Sequence, residues 1–316
     1  MTSLLDLLAD GQFHTGPKLA ACLGISRAAI NLQVQNARSR GITVESVPSK
    51  GYRLPGGADW LNLSKLSGAL RRSYPGIDVQ LHASIPSTNE LLLQQSSGWP
   101  DRQVVFAEHQ TAGRGRRGRT WVSPWGHNLF FSCAISYQNG IPEALSLRVG
   151  VGLADLLYRS GVTGIGLKWP NDLWVADHKC GGILVEVQGD PMGHCRAVIG
   201  VGLNLLTPTA VAGQIDQPFG DLRHLGLKPE IHRTLLAGRA ARAVIQSAEA
   251  ESEHWQADFA RWDCLRDRHV SAIGVHQTWQ GRAVGVESDG GLRLATEQGV
   301  QVFRSGEVSV RTNAGL

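Results

Sequence analysis

Residues 113–119 read Gly-Arg-Gly-Arg-Arg-Gly-Arg, and residues 120–126 follow as Thr-Trp-Val-Ser-Pro-Trp-Gly. Glycine lets a backbone take positive φ and approach a ligand closely. Arginine adds permanent charge and a planar fork of donors that matches phosphate or carboxylate. Gly113, Gly115 and Gly118 satisfy the G-x-G-x-x-G spacing, but that fingerprint must leave a strand and open a helix. The aromatic, proline-broken segment after it cannot open one, and no Gly-Lys-[Ser/Thr] closes a P-loop. The two common nucleotide-binding folds are thereby excluded. Taken alone, the run fits a solvated loop, a nucleic-acid tail, or a loop that is loose when empty and closes over an anion.

A chain of 316 residues has room for two or three domains, and 42% hydrophobic with 18% charged residues describes a globular protein. The formal net charge is only +4, so anion binding must come from local patches. Cys22, Cys133, Cys180, Cys195 and Cys264 are scattered without C-x-x-C spacing, which speaks against a zinc site or a disulfide framework. With no signal peptide and no apolar run that could span a bilayer, a cytoplasmic protein without membrane contact is expected.

Three segments follow from the patterning. Residues 1–58 contain an apolar helix around Leu4–Leu8, a second at Pro17–Leu23 and a third from Arg27 to about Arg38, capped by Ser26 and carrying Ile30, Val34 and Ala37 on one face. Two short strands, 41–44 and 51–54, complete a winged helix-turn-helix with Lys50 near the wing tip, and Pro55–Ala58 reads as a linker. Ser26, Arg27, Ala28, Asn31 and Lys50 are the candidate DNA contacts, with the basic end Arg38-Ser39-Arg40 adding charge. A small helical protein-docking domain is the alternative for this segment.

Residues 59–267 alternate strands (104–107, 129–135, 182–187, 197–203) with helices (Asn89–Gln95, Leu145–Tyr158, Ile231–Trp255), a mixed α/β domain. Residues 268–316 hold five short strands (269–275, 280–286, 292–296, 300–303 and 307–311) with a tight turn at Asp289-Gly290-Gly291, which predicts a small β-barrel. The fold class is α+β multidomain.

Four further motifs accompany the Arg/Gly run: Ser87-Thr88-Asn89 at a helix start, Lys168-Trp169-Pro170-Asn171-Asp172, Lys179-Cys180-Gly181-Gly182 leading into Ile-Leu-Val-Glu, and Gly200-Val201-Gly202-Leu203-Asn204. Each is ambiguous alone; Ser87 and Thr88 fit a helix cap as well as a ligand contact. Together and in this order, across essentially the whole chain, they resemble biotin–protein ligases of the bifunctional bacterial type that also repress the biotin operon.

That resemblance implies a class II synthetase-like catalytic domain between the winged unit and an SH3-like barrel. It also implies a two-step reaction: biotin and ATP, with Mg2+, give biotinyl-5′-AMP, and the acyl group then passes to a lysine of the biotin carboxyl carrier protein of acetyl-CoA carboxylase. Arg116, Lys179 and Asp172 match the catalytic positions, Asp172 also assisting Mg2+. Ser87, Thr88, Asn89, Gln110, Arg114, Gly115, Arg116, Lys179, Gly181 and Gly182 match the biotin site. Arg116, Arg119, Trp121, Asn171, Asn204 and Arg311 match the nucleotide site. Operator DNA and a homodimer of the adenylate-bound form complete the expected partners. The rivals are a lipoate-type ligase, a ligand sensor without catalysis, and a ligase whose winged unit no longer represses. Cys180, beside Lys179, could be oxidation-sensitive, though an inert thiol is the simpler expectation.

Overall fold

The computed structural model describes residues 3–95, 98–215, 217–250, 254–305 and 308–312. At its start, α1 (Leu4–Leu8), α2 (Gly16–Leu23) and α3 (Arg27–Ser39) are capped by the side chains of Ser3, Thr15 and Ser26. Each cap satisfies a backbone N–H that the first turn would leave orphaned. Ile30, Val34 and Ala37 are buried against Leu4, Leu8 and Leu19, as the helical spacing predicts. The wing is β1 (Glu45–Val47) paired antiparallel with β2 (Gly51–Arg53).

Its first strand therefore begins after 41–44, not within it. Ile42 N donates to Ala37 O, and Arg38 donates twice to Val44 O, so this segment's hydrogen bonds return to α3. Ile42 and Val44 alternate because they plug the core beneath α3, and periodicity alone reads that as a strand. Arg38 is correspondingly tied to its own domain.

The central unit comprises α4 (Leu63–Ser73), β3 (Asp78–Ile85), α5 (Thr88–Leu93), β4 (Arg102–Gln110), β5 (Leu129–Tyr137), α6 (Leu145–Arg159), β6 (Ile165–Lys168), β7 (Asp172–Val175), β8 (His178–Gly189), β9 (Cys195–Leu203), α7 (Thr209–Ala212), α8 (Arg233–Glu249) and α9 (Trp255–Trp262). Seven strands form one sheet in the order β3-β4-β5-β9-β8-β7-β6, with β3 parallel to β4 and every other pair antiparallel. Successive side chains on a strand face opposite ways. Ile199, Val201 and Leu203 therefore join the main core under α4, α6 and α8, while Val198 packs beneath α5 on the other face.

The expected helix Ile231–Trp255 is two helices. Ala250 leaves α8 in an extended conformation, residues 251–253 lie outside the described residues, and α9 begins at Trp255.

The C-terminal unit is a five-stranded antiparallel sheet, β10 (His269–Ile273), β11 (Thr278–Val286), β12 (Leu292–Thr296), β13 (Gly299–Phe303) and β14 (Ser309–Thr312), in the order β13-β12-β11-β10-β14. Glu307, the expected start of its last strand, lies outside the described residues. Gly290 takes φ 87° in the turn between β11 and β12, and its carbonyl accepts from Trp169 Nε1 at 2.8 Å. That bond seats this unit on the Lys168–Asp172 segment.

Arg233, 1% exposed, joins elements far apart in sequence. Its guanidinium donates to Glu108, to Asn128 O at 2.8 Å and to Asp59 O at 2.9 Å, and Leu61 N donates to Glu108 Oε1 at 2.6 Å. α8, the sheet and the segment leaving the winged unit thus meet at one buried pair. Arg233→Ala would strand the Glu108 carboxylate, and chemical denaturation should show a loss of about 3–5 kcal/mol. Adding Glu108→Gln to that variant should recover part of the loss.

Candidate functional site

A cavity of about 460 Å3 opens on the α5 face of the sheet. Its floor is made by glycines on alternate strand positions. A Cβ at 202 would lie 2.5 Å from Trp121 Cε2, one at 182 would lie 3.2 Å from Trp121 Cζ3, and one at 200 would lie 2.3 Å from Asn89 Oδ1. Gly182 and Gly202 are paired across β8 and β9, so the Trp121 indole rests on bare backbone. Its N–H and that of Trp174, both at the cavity, are buried without a hydrogen-bond partner. A buried donor in that condition calls for an acceptor.

The end near α5 is a neutral polar network. Gln110 Oε1 accepts from Thr88 N at 2.8 Å and from Thr88 Oγ1 at 3.2 Å, and Gln110 Nε2 donates to Ser123 Oγ at 3.3 Å. Ser132 Oγ lies 2.6 Å from Thr88 Oγ1 and 2.5 Å from Asn89 Oδ1. Asn89 Nδ2 donates to Glu186 Oε2 at 2.7 Å, and Arg114 Nη2 reaches the same oxygen at 3.1 Å. Ser87 makes no side-chain cap bond, although it precedes α5. The capping interpretation of Ser87 thus fails, and the residue lines the cavity.

The other end is cationic. Lys179 Nζ lies 2.8 Å from Asp172 Oδ1 and 5.4 Å from the Trp121 ring centroid. Arg116 Nη1 donates to Asn171 Oδ1 at 3.2 Å, and Asn171 Nδ2 donates to Ile183 O at 2.7 Å. Burial lowers the Arg116 pKa, with Arg117 and Arg119 acting the same way and Asp172 opposing them. Lys168 sits 4.0 Å over the Trp174 ring; burial lowers its pKa as well, Asp172 opposing and Arg311 and Lys179 reinforcing.

The Arg/Gly run folds over this end. Gly115 N donates to Arg119 O at 2.7 Å, Trp121 N donates to Gly113 O at 2.8 Å, and residues 116–118 form a single 3-10 turn with Arg117 at φ 56° and Gly118 at φ 71°. Gly113 is obligatory there, because a Cβ would fall 2.4 Å from Trp121 O.

Of the residues singled out from sequence, Ser87, Thr88, Asn89, Gln110, Arg114, Gly115, Arg116, Arg119, Trp121, Asn171, Asp172, Lys179, Gly182 and Arg311 line this cavity. Gly181 and Asn204 do not. Gly181 points into the core, where a Cβ would meet Leu203 Cδ2 at 2.7 Å. Asn204 is buried, and its side-chain amide donates to Lys179 O at 3.3 Å. It braces the lysine's backbone.

Sequence reasoning left out Lys168, Trp174, Arg117, Ser132 and Glu186. Lys168 stood inside a recognised motif. Glu186 closed the motif that starts at Lys179, and strand alternation, which puts it on the face of Gly182 and Leu184, was the signal for its role. Among the described residues no three of His, Cys, Asp and Glu converge on a metal site. Cys180 is buried, donates to Leu173 O at 3.3 Å, and has its thiol pushed up to about 12 by burial.

On the winged unit, Ser26, Arg27, Ala28 and Asn31 are exposed at the start of α3, and Lys50 is exposed in the wing turn. Asn31 Oδ1 accepts from Tyr52 Oη, which fixes the wing against α3.

Residues 81–204 match the biotin/lipoate A/B protein ligase family, residues 1–53 an HTH domain, and residues 267–311 the biotin protein ligase C terminal domain. Over 315 residues the chain is 35% identical to the bifunctional ligase/repressor BirA of Escherichia coli, covering 98% of this chain and 96% of that protein. The bifunctional ligase/repressor BirA of Bacillus subtilis is 25% identical over 320 residues, covering 96% and 95%. A solved biotin protein ligase from Aquifex aeolicus, in complex with biotin and ATP, shares the fold with TM-score 0.60 and 24% identity, covering 75% of this chain and 99% of that one.

A DNA-binding fold ahead of a biotin/lipoate-type catalytic unit defines a ligase that carries its own transcriptional module. The chain belongs to the bifunctional biotin ligase/repressor family.

Two outcomes follow from the site's packing. Gly202→Ala should push Trp121 off its platform and lower kcat/KM for ATP by about tenfold or more in steady-state assays, with thermal stability nearly unchanged. At pH 8 a thiol reagent should label exposed Cys22 rapidly and leave Cys180 untouched in the folded protein. A thiol held at about 12 offers almost no thiolate there.

Proposed function

We propose that this cavity makes biotinyl-5′-AMP from biotin and ATP and holds it until a carrier lysine arrives. A biotin carboxylate oxygen attacks the α-phosphorus, forming the acyl–phosphate bond as the bond to pyrophosphate breaks. The carrier ε-amine then attacks the acyl carbon, AMP leaves, and the amine's proton is lost. The observation that carries this reading is the pairing of a neutral polar pocket with a strongly cationic one across a glycine floor.

The ureido ring of biotin has two N–H donors and one carbonyl acceptor. Ser87, Thr88, Asn89 and Gln110 supply matching hydroxyl and amide groups, braced by Ser132. A dithiolane ring offers those groups no hydrogen bond in return, which favours biotin over lipoate.

In the first step two anions must meet, and fixed cations lower that repulsion. Lys179, 2.8 Å from Asp172, would hold the biotin carboxylate and later the acyl phosphate. Arg116, kept in place by Asn171, and Arg119 face the phosphates. Trp121 offers adenine a stacking surface, and Arg311 of β14 reaches the nucleotide from the C-terminal unit. Arg114 and Gly115 close the biotin side. The residues fit a Mg2+ ion that arrives with ATP: Asp172 is the one acid among the described residues lining the cavity, so phosphates and water would supply most oxygen ligands. Such an ion would offset phosphate charge when bound.

The winged unit binds operator DNA through Ser26, Arg27, Ala28, Asn31 and Lys50. Adenylate-bound chains would form the homodimer that places two such units on a palindromic site.

The test is pyrophosphate release with biotin, ATP and magnesium, together with biotin transfer to an isolated biotin-carrier domain and a lipoate control. Biotin-dependent release and transfer are expected. Lys179→Ala should lower kcat by about a hundredfold to a thousandfold, and Arg116→Ala should lose or leak adenylate. Release that depends on lipoate, or none with biotin, overturns the reading.

A further inference from the structure

A second concavity, about 1030 Å3, opens where α4, α6 and α8 cross, on the sheet face opposite the ligand cavity. Lys65 and Arg72 of α4, Arg159 of α6, and Arg239 and Arg242 of α8 stand on its walls, and Asp155 is the one acid among its described lining residues. The spacings are helical, 65 to 72, 155 to 159 and 239 to 242, so each helix turns one face to the groove. Arg159 reaches Asp155 at 3.5 Å. Among the described residues, Lys65, Arg72, Arg239 and Arg242 are exposed and make no ion pair.

Ala69, Gly152, Gly238 and Ala243 line the groove beside Leu156 and Leu235. A Cβ at Gly152 would fall 2.1 Å from Ser247 Oγ, and one at Gly238 would touch Ala69 Cβ at 3.7 Å. The helices thus approach closely, and the long cationic side chains rise above an open trough. One end abuts the segment that leaves the winged unit: Asn62 N donates to Thr234 Oγ1 at 3.2 Å, and Trp60 Nε1 donates to Leu5 O at 3.2 Å. From Leu235 to Gln246 the α8 wall runs about 17 Å at a rise of ~1.5 Å per residue. Duplex DNA presents about five phosphates per strand over that length.

We infer that this groove holds the phosphate backbone of duplex DNA continuing from the site read by the winged unit. The inference rests on DNA binding by that unit. Unpaired guanidinium groups spaced along a shallow trough suit a regular polyanion.

The experiment measures binding of a 40-base-pair random-sequence duplex (a length of about four turns, ample for both surfaces) by fluorescence anisotropy across salt. Full-length wild type is compared with Arg72→Ala/Arg239→Ala/Arg242→Ala, with the corresponding triple Arg→Lys variant, and with Arg27→Ala/Lys50→Ala. The alanine triple should flatten the slope of log K against log salt by about 2.7. That makes its loss of affinity between 50 and 200 mM salt about 40-fold smaller than wild type's. The lysine triple should keep the wild-type slope, and biotin transfer should be unchanged in both.

An unchanged slope in the alanine triple, with Arg27→Ala/Lys50→Ala impaired, removes the groove and leaves the winged unit as the DNA site. Saturable binding of a polyglutamate peptide that the alanine triple loses, with DNA binding unaffected, overturns the inference in favour of an acidic protein. No random-duplex binding by wild type overturns the groove, whose phosphate contacts are independent of sequence.

Discussion

Among the described residues, the ligand cavity gathers Arg114, Arg116, Arg117, Arg119, Lys168, Lys179 and Arg311 around a single lining carboxylate, Asp172. Like charges this close, partly removed from water, repel one another strongly. Burial first, and then the neighbouring cations, lower the pKa of Arg116 and Lys168. Much of the surrounding architecture restrains that repulsion. Asp172 takes Lys179, Asn171 takes Arg116, and Glu186 takes Arg114, and each partner is set on a strand or its immediate end. A site in this condition is incomplete without anions, and a carboxylate and a triphosphate together supply the missing charge.

The position of those charges depends on backbone that carries no side chain. Strand alternation puts Gly200 and Gly202 of β9, and Gly182 of β8, on the cavity face, where Trp121 and Asn89 occupy the space that a Cβ would take. Trp121 is in turn held to Gly113 O, so the floor locates the start of the Arg/Gly loop. The loop's other wall comes from the Lys168–Asp172 segment, which the C-terminal unit fastens through Trp169 and Gly290. Three regions distant in sequence thus converge by packing, and the arginines follow.

Much of this was legible in the chain. The helix-turn-helix announced itself through caps and 3.6-residue spacing, and five motifs in fixed order, the Arg/Gly run among them, held most of the cavity lining. The failures have local physical causes. The segment 41–44 alternates like a strand, yet its backbone is satisfied by α3. Gly181 and Gly182 are adjacent glycines, but consecutive residues on a strand face opposite sides, so only one can floor the cavity. Asn204 read as a nucleotide contact because its amide could suit a base edge; its bond to the Lys179 carbonyl spans 25 residues and has no signature in the sequence. Lys168 and Glu186 stood inside quoted motifs without a role, because their roles arise from strand register, which a linear motif does not state.

Net charge was the least informative sequence quantity, and the structure explains why. Cations exceed acids by six among the described cavity residues, by four among those described along the α4–α6–α8 groove, and by three in residues 1–58, whereas the whole chain carries only +4. The rest of the chain must therefore hold nine more acids than bases. Such a distribution does two things that a uniform +4 would not. It repels polyanions from most of the surface, and it focuses attraction on separate sites, one enclosed and sized for small anions, the others open. A nucleotide and a DNA duplex carry the same phosphate chemistry. Enclosure and shape, more than charge, let one chain keep them apart.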